Sequence, residues 1–186
     1  MQDFVLKIIE KTGFLRWIRE EKATAFTETV ILMPVLVSML MGCYDLGQGI
    51  TTNQKVIGAS QVMGDLIARD RTIDMAGVQE VITAGQLVLQ PYSTAPFGYD
   101  IVSIEFDTDG SPLVLWRVTE NMSENEEAVA STVGLGAPGE GILIVTTSYV
   151  YDPFFSNFIV DNIDMQEVAF YRGRRGSIIS CNDCPV

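Results

Sequence analysis

Histidine is absent from this 186-residue chain. Its absence excludes His-dependent catalytic triads, histidine metal ligands and the usual proton shuttle near neutral pH. No other nucleophile and base can be paired from the sequence. We therefore expect a protein that is not an enzyme and that uses no metal or cofactor.

Basic residues are scarce and unevenly placed. The chain has 12 Lys and Arg against 24 Asp and Glu, a formal net charge of -12. Five of the basic residues lie within residues 1–22, whereas residues 51–186 contain 18 acidic and 7 basic residues. Because attraction to phosphate needs a basic face, this acidic bulk argues against nucleic acid as a partner.

Cysteine is also rare, with three residues in the chain. Cys43 lies in an apolar run, and Cys181 and Cys184 form a C-N-D-C motif near the C-terminus. Two cysteines fall short of the four ligands of a closed zinc site, so the motif does not predict zinc binding. A thioredoxin-like redox motif would open a helix in a βαβ unit, which this motif does not do, so redox catalysis is not expected either. In an oxidising compartment a local disulfide between Cys181 and Cys184 is the simplest expectation, with free thiols as the alternative.

One long apolar run stands out. Between Glu28 and Asp45 the residues TVILMPVLVSMLMGCY carry no formal charge. With its neighbours the run reaches the roughly 17–25 residues of a bilayer span, so we predict a transmembrane helix over residues 23–48. The excess of Lys and Arg before it places residues 1–22 in the cytoplasm, as a basic, amphipathic leader, and residues 49–186 outside. A buried helix of a soluble protein is the alternative.

Three motifs accompany this run: A-T-A-F-T-E at 23–28, Met33-Pro34, and G-C-Y-D-L-G at 42–47. Together with the basic leader they resemble the TadE/TadF-like (TadE-like) pseudopilins of Flp-type tight-adherence pilus systems, relatives of type IV pilins. The likeness is good over residues 22–70 and loose beyond. Ala23 stands where the family usually has Gly, and Thr29 where Phe is common.

The resemblance implies a minor pilin-like or pilus-assembly protein that acts by subunit association. It would sit in the bacterial cytoplasmic (inner) membrane as a single-pass protein with its C-terminal domain in the periplasm. A prepilin peptidase would cut between Ala23 and Thr24. Glu28 would then pair with the N-terminal amine of a neighbouring subunit and set the register of assembly. The implied partners are other pilin-like subunits, the pilus assembly platform, the prepilin peptidase and the lipid bilayer.

Two alternatives to this interpretation stay open. Glu28 can be an acid that simply reaches the membrane interface, with no partner in a neighbouring chain. The whole chain can instead be a single-pass, membrane-anchored periplasmic ligand-binding or sensor domain. A sensor would keep its leader, so processing separates the two functions.

Apolar periodicity continues past the predicted span. The spacing of Val56, Ala59, Met63 and Leu66 predicts that the helix keeps one apolar face to about Arg69. A second helix is predicted to start at an N-cap, Asp74, with Met75, Val78, Ile82 and Gly85 on one side, and to stop before Pro91.

The second half of the chain predicts strands. Residues 102–106 and 113–118 form a hairpin around the turn DTDG, and residues 142–151 are the strongest strand signal. A polar, glycine-containing loop is predicted over residues 120–141, between the hairpin and the strand at 142–151. A helical turn in FSNFIVDN then precedes a last strand in MQEVAFYR. The predicted fold is α+β, with the N-terminal transmembrane helix extended as a pilin-like spine and packed on a small antiparallel sheet.

The remaining motifs have plain structural interpretations. The G-x-G-x-x-G match at 134–139 lacks the strand before it and the helix after it, and predicts a loop. Asp107 and Asp109 predict a surface turn, because the other calcium ligands are missing. The basic cluster at 172–175 predicts a solvated tail, with contact to an acidic partner or a lipid headgroup as the alternative. Trp116 and the aromatic residues at 149, 151, 154 and 155 predict either core or a patch that meets neighbouring subunits.

Overall fold

The computed structural model describes residues 21–155 and 161–185, with side chains from Phe26 onward. The chain divides into two compact units, one ending at Leu46 and the other starting at Gly47. In chain order the elements are α1 (Glu21–Ile67), β1 (Thr72–Ile73), α2 (Met75–Val88), β2 (Phe97–Phe106), β3 (Pro112–Glu120), α3 (Glu126–Ala130), β4 (Gly141–Tyr151), β5 (Ile163–Tyr171) and β6 (Ser180–Cys181).

Helix α1 contains the apolar run, with Pro34 inside it. Among the described residues it is the one helix long and apolar enough to span a membrane, over Phe26–Ile67. At 1.5 Å per residue the stretch from Phe26 to Tyr44 rises about 28 Å, close to the roughly 30 Å hydrocarbon core of a bilayer. Its apolar side chains are exposed, and Ile31 and Leu40 are each 72% accessible.

From Gly47 onward, one face of α1 is buried against the rest of its unit. Val56, Ala59, Met63 and Ile67 are completely buried, at spacings of three or four residues. The predicted apolar face is confirmed, with Leu66 only partly buried at its margin. The spacing of 3.6 residues per turn is what brings these side chains into one stripe.

The second predicted helix is confirmed as α2. The Asp74 carboxylate accepts a hydrogen bond from the Gly77 amide at 2.8 Å, which satisfies one of the free donors at the helix start. The helix ends at Val88, before Pro91. Gly85 permits its close approach to α1, because a Cβ there would lie 2.6 Å from Cγ of Met63.

A four-stranded antiparallel sheet has the order β3-β2-β4-β5. The predicted hairpin, the strong strand and the last strand are therefore confirmed. The helical turn predicted in FSNFIVDN falls mainly on residues 156–160, outside the described residues. A short parallel pair of β1 with β6 had no signal in the sequence.

Each face of the sheet is covered by a different layer. Tyr99, Ile101 and Val145 belong to the core shared with α1 and α2, and the alternate residues Ile104 and Ile144 form a second cluster under α3. The α+β class is confirmed, with the long apolar helix packed on a small antiparallel sheet.

The prediction of an uninterrupted loop before β4 is wrong, because α3 forms inside it. Asn125 caps α3 by accepting a hydrogen bond from the Ala128 amide at 3.0 Å. Ala128 and Val129 are buried against the sheet. A helix this short depends on tertiary contacts for its stability, so local sequence signals do not reveal it.

Candidate functional site

The predicted processing and assembly residues all lie in α1. Thr24 and Glu28 are four residues apart along α1, which is about one helical turn. Glu28 is exposed at the start of the apolar stretch. Cleavage between Ala23 and Thr24 and pairing of Glu28 with another subunit stay predictions, since both concern partners outside a single chain.

The C-terminal motif is joined and anchored. A disulfide links Cys181 to Cys184, with their Cα atoms 5.6 Å apart. Between them, Asp183 accepts a hydrogen bond from the Met75 amide at 2.7 Å, at the start of α2. Just beyond, the Pro185 carbonyl accepts one from the Arg117 amide of β3 at 2.9 Å. The tail thus ties a helix end to a sheet edge.

This arrangement does not suit a metal ion. The ligand atoms of Cys181, Asp183 and Cys184 lie within 4.8 Å of one another. However, the two sulfurs are bonded to each other and offer no thiolate, which is the form of cysteine that binds metal. The motif is structural in this state.

Among the residues whose side chains are described, the most deeply buried charged group is Asp100, which had no signal in the sequence. Asp100 of β2 and Arg117 of β3 form a bidentate pair in which Nε and Nη2 lie 2.9 and 2.8 Å from Oδ1 and Oδ2. Asp100 also accepts hydrogen bonds from the Thr119 hydroxyl at 2.7 Å and the Asn125 amide at 2.9 Å. The exposed Glu126 carboxylate accepts another bond from Arg117.

The pKa values of this pair keep both groups charged. Burial alone raises the pKa of Asp100, but the hydrogen bonds from Arg117, Asn125 and Thr119 outweigh burial and hold it below its ordinary value. The hydrogen bond to Asp100 raises the pKa of Arg117, against the opposing effect of burial. The Asp100 carboxylate accepts four hydrogen bonds from the protein and is 1% exposed, so a substrate cannot reach it. It is therefore a structural group.

The arginines at 172–175 are exposed to solvent, as predicted, but two of them also contact other parts of the domain. Arg174 forms an ion pair with Asp65 of α1, and its amide donates to the Ala68 carbonyl at 2.8 Å. Arg172 contacts Glu140, with nitrogen and oxygen 3.3 Å apart, and donates to the Leu135 carbonyl at 2.7 Å. Folding of the domain brings these partners together from distant parts of the chain.

The glycine-rich match at 134–139 is a loop that leads into β4, as predicted. Gly134 and Gly139 each have φ of 79°, a backbone region that favours glycine. A Cβ at Gly136 would lie 2.1 Å from the ring of Phe106. These glycines serve turns and close packing, and no helix follows them to receive a phosphate.

The aromatic residues divide between core and surface. Trp116, Tyr149 and Tyr151 are buried, and the Trp116 indole donates to the Ile179 carbonyl at 2.8 Å. Phe154 is instead 79% exposed and meets Phe155 edge-on, with ring centroids 4.8 Å apart. The buried tyrosines and tryptophan confirm the core interpretation, and Phe154 offers an aromatic surface.

Comparisons of the chain with protein-family models, with curated proteins and with solved structures find no match. The function is therefore inferred from the residues and their geometry.

Proposed function

We propose that this chain is a minor pilin-like (pseudopilin) or pilus-assembly protein of the TadE-like type, in a type IV/Flp (Tad) pilus system. It is anchored in the bacterial cytoplasmic membrane by α1 and acts by associating with other subunits. The observation that carries the proposal is that one unbroken helix serves two purposes. Its first part exposes apolar side chains, and its last part is a packed element of a small α+β domain.

The exposed part of α1 is suited to a lipid bilayer. Side chains from Phe26 to Met41 are apolar with few exceptions and exposed on every side of the helix. Each Å² of apolar surface that stays in water forgoes about 25 cal/mol of the stabilisation that burial would give. A helix that is apolar all round is typical of a membrane span or a helix bundle, and both environments suit a pilin-like subunit.

The position of Glu28 supports assembly through this helix. A carboxylate next to hydrocarbon is costly unless it is paired or reaches the interface. Cleavage after Ala23 would create an amine at Thr24, close to the level of Glu28 in a neighbouring parallel helix. Pairing of that amine with Glu28 would align neighbouring subunits along the helix axis.

The described outer domain supports a scaffolding role. Its buried ion pair is saturated with protein donors, and its C-terminal motif is tied into the fold. These interactions hold the elements of the domain together. A subunit that works by association needs a rigid domain of this kind.

The test identifies the N-terminal residue of the mature chain. The chain is recovered from cells that contain the cognate prepilin peptidase, and its intact mass is measured. We expect the mature chain to begin at Thr24, and to retain residues 1–23 when the peptidase gene is deleted. Glu28→Gln removes the charge at nearly constant size, and Thr29→Ala is a neighbouring control. Processing of both variants with loss of pilus assembly only in Glu28→Gln supports the assembly role.

A chain that keeps residues 1–23 in peptidase-positive cells would contradict the proposal. That result would favour a permanently anchored assembly or sensor protein over a processed pseudopilin. Orientation is tested separately with a cysteine introduced at Thr108 in a Cys43→Ser background, labelled in intact spheroplasts by a membrane-impermeant maleimide. Labelling of this exposed turn is expected for a periplasmic domain, and protection of it would contradict the membrane topology.

A further inference from the structure

The β3 edge of the four-stranded sheet is protected in three ways. Strand β3 begins with Pro112, and its Arg117 amide donates to the Pro185 carbonyl of the C-terminal tail. Its register with β2 also shifts once along the pair. A proline, an irregular register and a covering segment each keep a sheet edge from pairing with another chain. This edge is therefore closed to a further strand.

The β5 edge differs in each of these respects. Strand β5 (Ile163–Tyr171) pairs with β4 through nine consecutive residues without a shift, and it contains no proline. Its other side has no neighbouring strand in the sheet. Among the described residues, no backbone group outside the sheet bonds to it. A regular edge strand of this length is a template for a further strand.

The register identifies which residues of β5 face outward. One step beyond the paired residues of β2 and β4, the Phe106 amide donates to the Glu140 carbonyl at 2.9 Å. Even-numbered residues of β4 therefore bond to β2 and odd-numbered ones to β5, because backbone groups alternate between the two sides of a strand. Odd residues of β4 pair with odd residues of β5. The outward amides and carbonyls belong to the even residues, among them Gln166, Val168 and Phe170.

The same even residues line a groove beside α3. Gln166, Val168 and Phe170 form one wall, and Glu127 and Ala128 of α3 belong to the other, in a groove of about 410 Å³. Directly opposed residues of an antiparallel pair point to the same face of the sheet. A strand added to β5 would therefore send alternate side chains into this groove. An edge strand with side-chain pockets beside it is how extended peptides are recognised by strand addition.

The residues along this edge define the chemistry of the added strand. The groove is apolar at Ala128, Val168 and Phe170, and its one charged lining residue is Glu127. The other face of β5 carries Glu167, which is partly exposed. No basic side chain lines the groove. Apolar side chains suit the groove, and basic side chains between them complement the two carboxylates.

We propose that the β5 edge binds an extended segment of another protein, which adds to the sheet beside β5. The segment alternates apolar and basic residues. Its backbone bonds to the outward groups of Gln166, Val168 and Phe170, and its apolar side chains enter the groove beside α3. Its basic side chains lie on the face that carries Glu167.

The partner is a different protein and not a second copy. Helix α1 runs in the direction of β5, because the Tyr171 hydroxyl donates to the Gln61 carbonyl at 3.2 Å and the Arg174 amide donates to the Ala68 carbonyl at 2.8 Å. Antiparallel pairing of β5 with its own copy would reverse α1 in the second chain. Two chains anchored in one membrane by the start of α1 cannot pair in this way. The choice of partner rests on the proposed membrane anchor, whereas the site rests on the sheet alone.

The probe is a synthetic peptide in which three valines alternate with four lysines. Residues that bond to the edge also point into the groove, so the valines are expected to bond to β5. Two versions are compared, with a methyl group on the backbone nitrogen of the three valines or of three lysines. Their length, charge and composition are the same. We expect the valine-methylated peptide to bind about tenfold more weakly, because it lacks the donors that face the edge.

Binding is measured by fluorescence anisotropy with the full chain in neutral detergent. Gln166→Pro removes an outward amide, and edge strands tolerate proline where the amide faces solvent. It should weaken binding of the lysine-methylated peptide about tenfold. Gln166→Thr loses the same side chain but keeps the amide, and should leave the affinity unaltered. Circular dichroism verifies folding, and the two peptides decide the question on wild-type chain if the proline variant does not fold.

Three results would overturn the proposal. The first is absence of peptide binding. The second is equal affinity for the two methylated peptides, which would assign binding to charge alone. The third is self-association in sedimentation velocity that Gln166→Pro abolishes and Gln166→Thr retains, which would assign the edge to a second copy. None of these measurements involves processing at Ala23, so failure here leaves the pilus proposal untouched.

Discussion

The Asp100 carboxylate and the Arg117 guanidinium meet across β2 and β3 in a fork-to-fork pair, with both contacts at 2.8–2.9 Å. The side chains are 1% and 8% exposed. The pair lies beside the Val102 and Ile104 cluster, where an uncompensated charge would be costly. Two further donors, Thr119 and Asn125, complete the carboxylate's hydrogen bonds and connect the sheet to the start of α3.

Breaking this pair is predicted to destabilise the α+β unit that starts at Gly47 strongly. Asp100→Asn leaves the Arg117 charge buried beside a neutral amide, and loss of one partner of a buried pair costs about 3–5 kcal/mol. The free energy of unfolding from urea titrations of the full chain in detergent measures the effect. Glu124→Gln is the control. That side chain is 63% exposed, so its loss should cost no more than about 1 kcal/mol. Equal costs for the two variants would contradict the structural role of Asp100.

Acid is predicted to destabilise the domain partly through Asp100. Its pKa in the folded chain is below the ordinary value of 3.8, so the unfolded chain binds the proton first as pH falls. The stabilisation is complete above about pH 4 and is lost as pH falls through the folded pKa. Asp65 and Asp109 have lowered pKa values and act in the same direction.

The measurement is the slope of unfolding free energy against pH below about pH 4. Asp100→Asn should show a shallower slope than wild type. The variant lacks the carboxyl group that binds a proton more readily in the unfolded chain than in the folded one. The comparison uses slopes, since the variant is less stable at every pH. Parallel slopes would show that Asp100 titrates alike in the folded and unfolded chain.

A methyl group at Gly64 is predicted to disturb the packing of α1 on β5. A Cβ at this position would lie 2.1 Å from Cε2 of Tyr171. Gly64→Ala should therefore cost about 1–3 kcal/mol by overpacking, despite alanine's better helix propensity. Gly47→Ala is the matched control, because a Cβ there has nothing within 4 Å. That variant should be neutral or more stable by up to about 1 kcal/mol, and stabilisation of both would refute the close contact.

Loss of the disulfide is predicted to have a modest effect. The loop between Cys181 and Cys184 is short, and chain entropy assigns closure of such a loop about 2 kcal/mol. Cys184→Ser in a Cys43→Ser background should lower the unfolding free energy by about this amount. Reductant should lower the stability of the Cys43→Ser parent and leave Cys184→Ser unchanged. An effect of reductant on both proteins would place its action elsewhere.

Several elements followed from local sequence signals. The apolar run, the spacing of Val56, Ala59 and Met63, and the acid at Asp74 predicted α1 and α2 with correct packing faces. The alternation of apolar residues in β2 and the β-branched run of β4 predicted the strands. These signals work because helix period, capping and strand alternation depend on residues within a few positions of one another.

The tertiary structure alone decided which distant charges meet. Asp65 and Arg174 are 109 residues apart in the chain and become partners only when β5 returns beside α1. Asp100 and Arg117 had no feature that set them apart from surface residues, because their burial depends on α3 and on both neighbouring strands. Helix α3 is likewise stabilised by the sheet beneath it. Local period determined the elements, whereas burial and long-range pairing, which no short stretch of sequence contains, determined the charged contacts.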